Sequence, residues 1–142
     1  MNARKRRVMI VDDTVEQRDV YAAYLSFHGF ETVGVGDAEE ALRVAPEARP
    51  DVVIMDVRLP GMDGWSATER LKMDPMTADI PVLILTGRAR GEDRHRSAAV
   101  GADAYLAKPC ELEQVLRWVE LLIRAASEGL EAPRRPVATG ST

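Results

Sequence analysis

Residues 52–64 read VVIMDVRLPGMDG, an apolar run that ends abruptly in an acid and a loop rich in proline and glycine. A continuous β-branched run bounded by turn residues is typical of a parallel strand buried on both faces. Such a strand places Asp56 at its carboxyl end, where open α/β sheets bind their ligands. Taken alone, Asp56 could equally be a turn cap, because aspartate is common at strand ends.

The composition indicates one folded domain. The chain has 142 residues, of which 46% are hydrophobic and 30% charged, as in ordinary globular proteins with a single core. The formal net charge of -4 argues against a general nucleic-acid binder. We therefore interpret the basic cluster at residues 4–7 as a solvated leader, with a nucleic-acid or membrane patch as the alternative.

Cysteine content and hydropathy exclude internally disulfide-bonded, cysteine-metal and membrane-spanning proteins. Cys110 is the only cysteine, so an intramolecular disulfide and a cysteine metal cluster are both excluded. We interpret it as a packing residue at a helix start, with a redox-sensing thiol as the alternative. No apolar run has transmembrane length and the N-terminus lacks a signal-peptide apolar region, so we predict a cytoplasmic protein without membrane contact.

Four further apolar runs alternate with helical patterns. They predict strands at residues 8–11, 31–35, 81–85 and 104–107. Between them lie amphipathic patterns, of which the last has apolar residues at i, i+3, i+4 and i+7 from Leu112. Pro46 and Pro50 are expected to end the second helix. Five strands alternating with five helices predict a doubly wound α/β domain with a five-stranded parallel sheet and helices on both faces.

We divide the chain into a basic leader at residues 1–6, the folded domain at residues 7–126, and a tail at residues 127–142. The tail is rich in glycine, proline and arginine, so it cannot bury enough apolar surface to fold alone. We interpret it as disordered or as a linker remnant. The chain is therefore either a stand-alone domain or a fragment of a longer protein.

Polar residues follow four of the five predicted strands. Asp12 and Asp13 follow the first strand, Asp56 the third, Thr86 the fourth and Lys108 the fifth. Because the carboxyl ends of parallel strands lie along one edge of the sheet, we expect these side chains to converge.

Converging side chains of these types suit phosphoryl transfer. Three carboxylates repel one another and raise their pKa values, which a divalent cation relieves. An all-oxygen site with open water positions suits Mg²⁺. Metal, ammonium and hydroxyl together can neutralise the oxygens of a phosphoryl group as it transfers to a carboxylate.

Each member has an ordinary alternative. Asp12 or Asp13 could cap the following helix. Thr86 could be a turn residue, and Lys108 a solvent-facing charge. Joint occurrence at four strand ends favours a site over coincidence.

The ordered motifs resemble the receiver domain of two-component response regulators. The resemblance covers roughly residues 6–125 and rests on Asp12-Asp13, Asp56 within MDVRLPGMDG, Thr86-Gly87 and Lys108-Pro109. It implies the flavodoxin-like strand order 2-1-3-4-5. It also implies that Asp56 is the phosphoacceptor. The carboxylates of Asp12, Asp13 and Asp56 and the main-chain carbonyl of Arg58 would hold Mg²⁺, with Mn²⁺ as an alternative ion.

The same resemblance assigns a conformational switch. Thr86 would be the switch hydroxyl, Lys108 the phosphate partner, and the Lys108–Pro109 peptide cis. Tyr105 matches an aromatic switch position whose ring turns inward as Thr86 moves; the alternative is a half-buried strand tyrosine.

The implied function is a Mg²⁺-dependent phospho-aspartate signalling switch. It would accept a phosphoryl group from a sensor histidine kinase or a histidine phosphotransfer protein, and catalyse only its own phosphorylation and dephosphorylation. It would act on an unknown output protein without direct nucleic-acid contact. The last strand and helices are a candidate homodimer face.

Two rival functions remain. A phosphohydrolase with an aspartyl-phosphate intermediate usually places a second acid two residues after the nucleophile, where this chain has Arg58. A non-phosphorylated interaction module would have no use for the acids, Thr86 and Lys108. Arg58 and Arg88 depart from the family pattern; they are either solvated loop charges or a shield over the phosphoryl oxygens.

Overall fold

A computed structural model describes residues 4–87 and 91–129 of the chain, apart from the side chains of residues 91–94. Arg88 and residues 130–142 of the predicted tail lie outside the described residues. Strands and helices alternate in the order β1 (Arg7–Val11), α1 (Val15–Phe27), β2 (Glu31–Val35), α2 (Ala38–Ala48), β3 (Val52–Asp56), α3 (Gly64–Met73), β4 (Val82–Thr86), α4 (Gly91–Ala99), β5 (Ala104–Ala107) and α5 (Leu112–Ser127).

The five strands form one parallel sheet in the order β2-β1-β3-β4-β5. This confirms the doubly wound α/β fold and the strand order that the sequence resemblance implied. Every residue of β3 and β4 is buried, as expected of central strands covered on both faces. Their continuous apolar runs, with no polar alternation, are therefore a consequence of position in the sheet.

The sheet separates two hydrophobic cores. Alternate residues of one strand point to opposite faces, so Ile10 and Ile54 enter the core formed with α1 and α5, while Met9 and Met55 enter the other. Burying a side chain of this size stabilises the fold by about 1.5–3 kcal/mol. The amphipathic face of α5 supplies five buried apolar residues from Val115 to Ile123.

The second helix does not end at Pro46 as expected. Pro46 lies inside α2, which continues to Ala48 and ends with Arg49 in the left-handed conformation. The missing N–H of a proline removes one main-chain hydrogen bond, and a short C-terminal turn tolerates that loss. Arg49 donates its main-chain N–H to the Ala45 carbonyl at 2.9 Å, which closes the helix after the proline.

Arginines of the basic leader and of the first strand contact acids of the fold. Arg4 and Arg6 approach Asp51 at 3.2 and 3.9 Å, and Arg7 approaches Glu31 at 2.7 Å. Within the described ranges, none of the helices combines the length and the apolar composition that a bilayer crossing requires.

Candidate functional site

Three carboxylates meet at the carboxyl edge of the sheet. β1 and β3 are neighbours whose register pairs Val11 with Met55, so the residues after them emerge side by side. Asp12, Asp13 and Asp56 each offer a carboxylate oxygen within 4.8 Å of the others. Asp12 is 2% exposed and Asp56 7%, whereas Asp13 faces solvent. The sheet therefore brings together the three acids that the sequence singled out.

Asp12 has an unsatisfied oxygen. Its Oδ1 accepts a hydrogen bond from the Thr14 main-chain N–H at 2.9 Å, while its buried Oδ2 has no hydrogen-bond partner. Burial raises the pKa of Asp12, and the Asp56 and Asp13 carboxylates raise it further against the opposing effects of the Thr14 bond and Lys108. Thr14 holds the N-cap position of α1, so the capping alternative does not account for Asp12.

Asp56 faces a cation. The Lys108 ammonium nitrogen lies 3.3 Å from Asp56 Oδ1, and the Lys108 side chain is largely buried. The same carboxylate oxygen accepts from the Arg58 main-chain N–H at 3.3 Å. Asp56 thus caps the turn after β3, as expected of an ordinary strand-end aspartate, and it also pairs with Lys108 after β5. A turn cap alone would not require that lysine.

The ends of β4 and β5 are joined by their main chains. Lys108 donates its N–H to the Thr86 carbonyl at 2.7 Å, and the Lys108–Pro109 peptide is cis. Thr86 is buried at the end of β4, and its register partner is Ala107. Tyr105 is 3% exposed and lies in the core that contains Met55, so its ring is fully buried.

A polar cleft of about 1040 Å³ opens above the acids. Its walls include Asp13, Asp56, Thr86 and Lys108, together with the exposed Arg58. A Cβ atom built at Gly87 would meet nothing within 4 Å, so this side of the cleft is open. The cleft is wide enough to admit a phosphoryl group and part of its donor.

The loop from β3 to α3 closes tightly over the strand end. Gly64 donates its N–H to the Val57 carbonyl at 2.9 Å. A Cβ atom at Gly64 would overlap the Asp56 carbonyl oxygen and lie 2.9 Å from the Val57 Cα. Asp63 caps α3 by accepting the Ser66 N–H at 2.9 Å. The loop thus fixes the backbone next to Asp56.

The sequence patterns did not reveal one charged group at the cleft. Arg96 of α4 lines the cleft, with its guanidinium carbon 5.4 Å from the centre of the Trp65 ring. One of its nitrogens lies 3.7 Å from Asp63 Oδ2. Trp65 itself is buried, with 4% of its surface exposed. The spacing of Asp63 and Ser66 could have revealed the cap, but no local pattern points to Arg96.

The arrangement matches a known family. Residues 8–120 match the model of the response regulator receiver domain. The chain belongs to this family. Receiver domains are signalling switches of two-component systems that accept phosphoryl groups from histidine kinases. The motifs that carried the resemblance therefore identified the family correctly.

Curated relatives of this receiver are longer proteins. The phosphate regulon transcriptional regulatory protein PhoB of Escherichia coli is 34% identical over 122 residues, which are 86% of this chain and 53% of PhoB. The DNA-binding dual master transcriptional regulator RpaA of Synechocystis is 35% identical over 118 residues, 83% of this chain and 49% of RpaA. The chain thus spans about half the length of the curated relatives it matches.

Solved structures match this receiver along nearly their whole length. The chemotaxis response regulator CheY4 of Vibrio cholerae has a TM-score of 0.79 at 32% identity, covering 84% of this chain and 99% of its own. The receiver domain of the sensor histidine kinase PA1611 of Pseudomonas aeruginosa has a TM-score of 0.78 at 30% identity, and the match covers 85% of this chain and 99% of the PA1611 domain. The PA1611 domain was solved with a magnesium ion coordinated in its active-site cleft.

The acids of this receiver fit a divalent cation by their own chemistry. Carboxylate oxygens are the ligands that Mg²⁺ prefers. The unpaired buried oxygen of Asp12 lacks a hydrogen-bond donor, and a bound cation would satisfy it. A cation would also relieve the mutual repulsion that contributes to the raised pKa of Asp12.

Proposed function

We propose that this receiver is a Mg²⁺-dependent switch in which Asp56 accepts the phosphoryl group. One observation carries the assignment: Asp56 lies within 4.8 Å of two further acids and 3.3 Å from the Lys108 ammonium. A buried carboxylate held between a cation and an acid cluster is unusual as a structural feature and suited to phosphoryl chemistry.

In the forward reaction a carboxylate oxygen of Asp56 attacks the phosphorus of a phosphohistidine. The new bond joins that oxygen to phosphorus, and the bond between phosphorus and the imidazole nitrogen breaks. Its electron pair stays on the imidazole, which takes a proton from solvent. Lys108 and the Thr86 hydroxyl offset the charge on the transferring oxygens. Hydrolysis by water then releases phosphate and restores the carboxylate.

The metal would be held by the carboxylates of Asp12, Asp13 and Asp56 and by the main-chain carbonyl of Arg58. When bound, Mg²⁺ (or Mn²⁺) supplies positive charge that offsets the phosphoryl oxygens. The chain's own contribution is to hold the acids in place. Asp12 is fixed by the Thr14 bond, and Asp56 by the Arg58 main-chain N–H.

The conformational response would pass through β4 and β5. The phosphoryl dianion adds a strong acceptor beside Thr86, and movement of that hydroxyl would favour the inward ring of Tyr105. In the structure the Tyr105 side chain is already in a buried position, and Ile84 is its register partner on β4. The last strand and helices then present a changed face to an output protein or to a second copy of the chain.

The phosphoryl donor would be a sensor histidine kinase or a histidine phosphotransfer protein in the cytoplasm. We infer no direct nucleic-acid contact by this chain. The net charge of -4 disfavours it, and Arg4 and Arg6 already approach Asp51. RpaA is named as DNA-binding, but it shares only part of its length with this chain.

Acetyl phosphate, a small acyl phosphate, tests the proposed function without a partner. The protein is incubated with this donor and Mg²⁺, and its intact mass is measured. We expect the gain of one phosphoryl group, lost in Asp56→Asn and on chelation of the metal. Asp37→Asn is the matched control, because asparagine still caps α2 and the residue lies outside the cleft. No gain in the unaltered protein would contradict the proposal and favour an interaction module.

A further inference from the structure

Arg96 is a cation at the mouth of the cleft for which the proposed reaction has no use. It belongs to α4 and lines the same cleft as Asp56, Thr86 and Lys108. Its guanidinium stacks over the Trp65 ring at 5.4 Å and approaches Asp63 at 3.7 Å. A guanidinium therefore lines the cleft that a phosphoryl group on Asp56 would enter.

The present contacts of Arg96 are weak enough to exchange. The separation of 3.7 Å from Asp63 is too long for a good hydrogen bond, and the two side chains are 54% and 40% exposed. Exposed ion pairs of this kind contribute little, because water screens them and both side chains lose freedom. Asp63 also has a second role, since its other oxygen caps α3 and would remain bound if Arg96 left.

We propose that Arg96 is a phosphate-sensing residue, which exchanges Asp63 for the oxygens of a phosphoryl group on Asp56. The inference rests on the proposed phosphorylation of Asp56. A phosphoryl dianion attracts a guanidinium more strongly than an exposed carboxylate does, because the planar fork can make two parallel charge-assisted hydrogen bonds. The exchange lifts the guanidinium from the Trp65 ring.

Two consequences follow for the switch. Arg96 is part of α4, so its movement draws this helix toward the cleft and couples phosphorylation to the element that precedes β5. The guanidinium also covers phosphoryl oxygens that water would otherwise reach. Arg96 acts here as a positioning residue, and its loss shortens the lifetime of the phosphoryl group without preventing its transfer.

Trp65 provides a direct reporter of the exchange. The chain has two tryptophans, so Trp118→Phe leaves Trp65 as the only one. In this background we compare Arg96 with Arg96→Gln, Arg96→Lys and Arg117→Gln. Arg117 is the matched control, because it also approaches an acid, Glu113, at 3.7 Å but lies on α5 away from the cleft. Each protein is loaded with Mg²⁺ and acetyl phosphate, and intact mass and Trp65 emission are recorded relative to Mg²⁺ alone.

We expect Arg96→Gln to gain the phosphoryl mass yet lose the change in Trp65 emission, while Arg117→Gln keeps both. The phosphoryl group should leave Arg96→Gln about two- to fivefold faster, and Arg96→Lys should restore part of the lifetime because it keeps the charge. A full emission change and an unaltered lifetime in loaded Arg96→Gln would overturn this inference alone. No mass gain in the parent protein would instead overturn the proposed function, and this inference with it.

Discussion

Gly64 packs directly against the main-chain carbonyl of Asp56, with no room between them for a side chain. A Cβ atom would also lie 2.9 Å from both the Asp56 carbonyl carbon and the Val57 Cα. These are backbone atoms at the end of a buried central strand, so they cannot move aside cheaply. The same contact holds the loop that carries Arg58 over the acid cluster.

Gly64→Ala should therefore lower the free energy of unfolding by roughly 1–3 kcal/mol, because overpacking against rigid backbone forces the loop outward. Denaturant unfolding measures the loss. Gly87→Ala is the control, since a Cβ atom there meets nothing within 4 Å. Equal stabilities for the two variants would show that the close packing at Gly64 does not constrain the loop.

Magnesium should stabilise the protein through Asp12. At a Mg²⁺ concentration of about 100 times Kd, the stabilisation is about 2.7 kcal/mol, which thermal unfolding with and without the ion detects. Asp12→Asn should lose most of this gain and, without metal, be at least as stable as the unaltered protein because a repelled buried charge is removed. Asp19→Asn, an exposed aspartate of α1, serves as the control. An undiminished response in Asp12→Asn would remove Asp12 from the metal site.

A partly buried lysine ties α3 to the second half of the sheet. Lys72 donates to the Ile80 carbonyl and to Asp103 Oδ2, both at 2.8 Å, and Asp103 Oδ2 also accepts the Val82 N–H. Lys72→Met should cost about 1–3 kcal/mol of unfolding free energy, because the partly buried Ile80 carbonyl loses its donor and the Asp103 carboxylate loses its cation. Arg43→Met, which removes an exposed pair at 3.9 Å, should change stability little. Comparable losses would mean that the Lys72 contacts contribute no more than a surface pair.

Cys110 should be a poorly reactive thiol. Burial raises its pKa above the ordinary 9.0, against the opposing effects of Lys108 and a hydrogen bond from Tyr21. Burial likewise raises the pKa of Tyr21 to about 12. The rate of alkylation by iodoacetamide, followed against pH, should therefore have a midpoint above that of a model thiol, and Tyr21→Phe should move it higher.

The raised pKa of Cys110 also makes the stability of the folded protein depend on pH. Because the pKa of Cys110 is higher in the folded than in the unfolded state, the folded protein holds this proton more tightly. The contribution of Cys110 to the free energy of unfolding is therefore present below pH 9.0 and is lost as the pH rises through the raised pKa. An alkylation midpoint below that of a model thiol would favour the redox-sensing alternative for Cys110 over a packing role.

The parts of the site that sequence reasoning located share one property. Asp12, Asp56 and Lys108 lie at or directly after the carboxyl ends of parallel strands, and topology alone brings such positions to one edge. Arg96 could not be located in this way, because its distance from Asp63 depends on how α4 packs across the cleft. The prediction that α2 ends at Pro46 failed for a related reason. Whether a helix tolerates a proline depends on how soon the helix ends, which the proline itself does not reveal.

The location of the phosphoryl group decides whether Asp56 is the phosphoacceptor. Trypsin cleaves after arginine but not before proline, so Asp56 falls on the peptide of residues 44–58 and both Asp12 and Asp13 on the peptide of residues 8–18. After loading with Mg²⁺ and acetyl phosphate, tandem mass spectrometry assigns the modified residue. We expect one phosphoryl group, on Asp56. A phosphoryl group on Asp12 or Asp13, or on any residue other than Asp56, would contradict it.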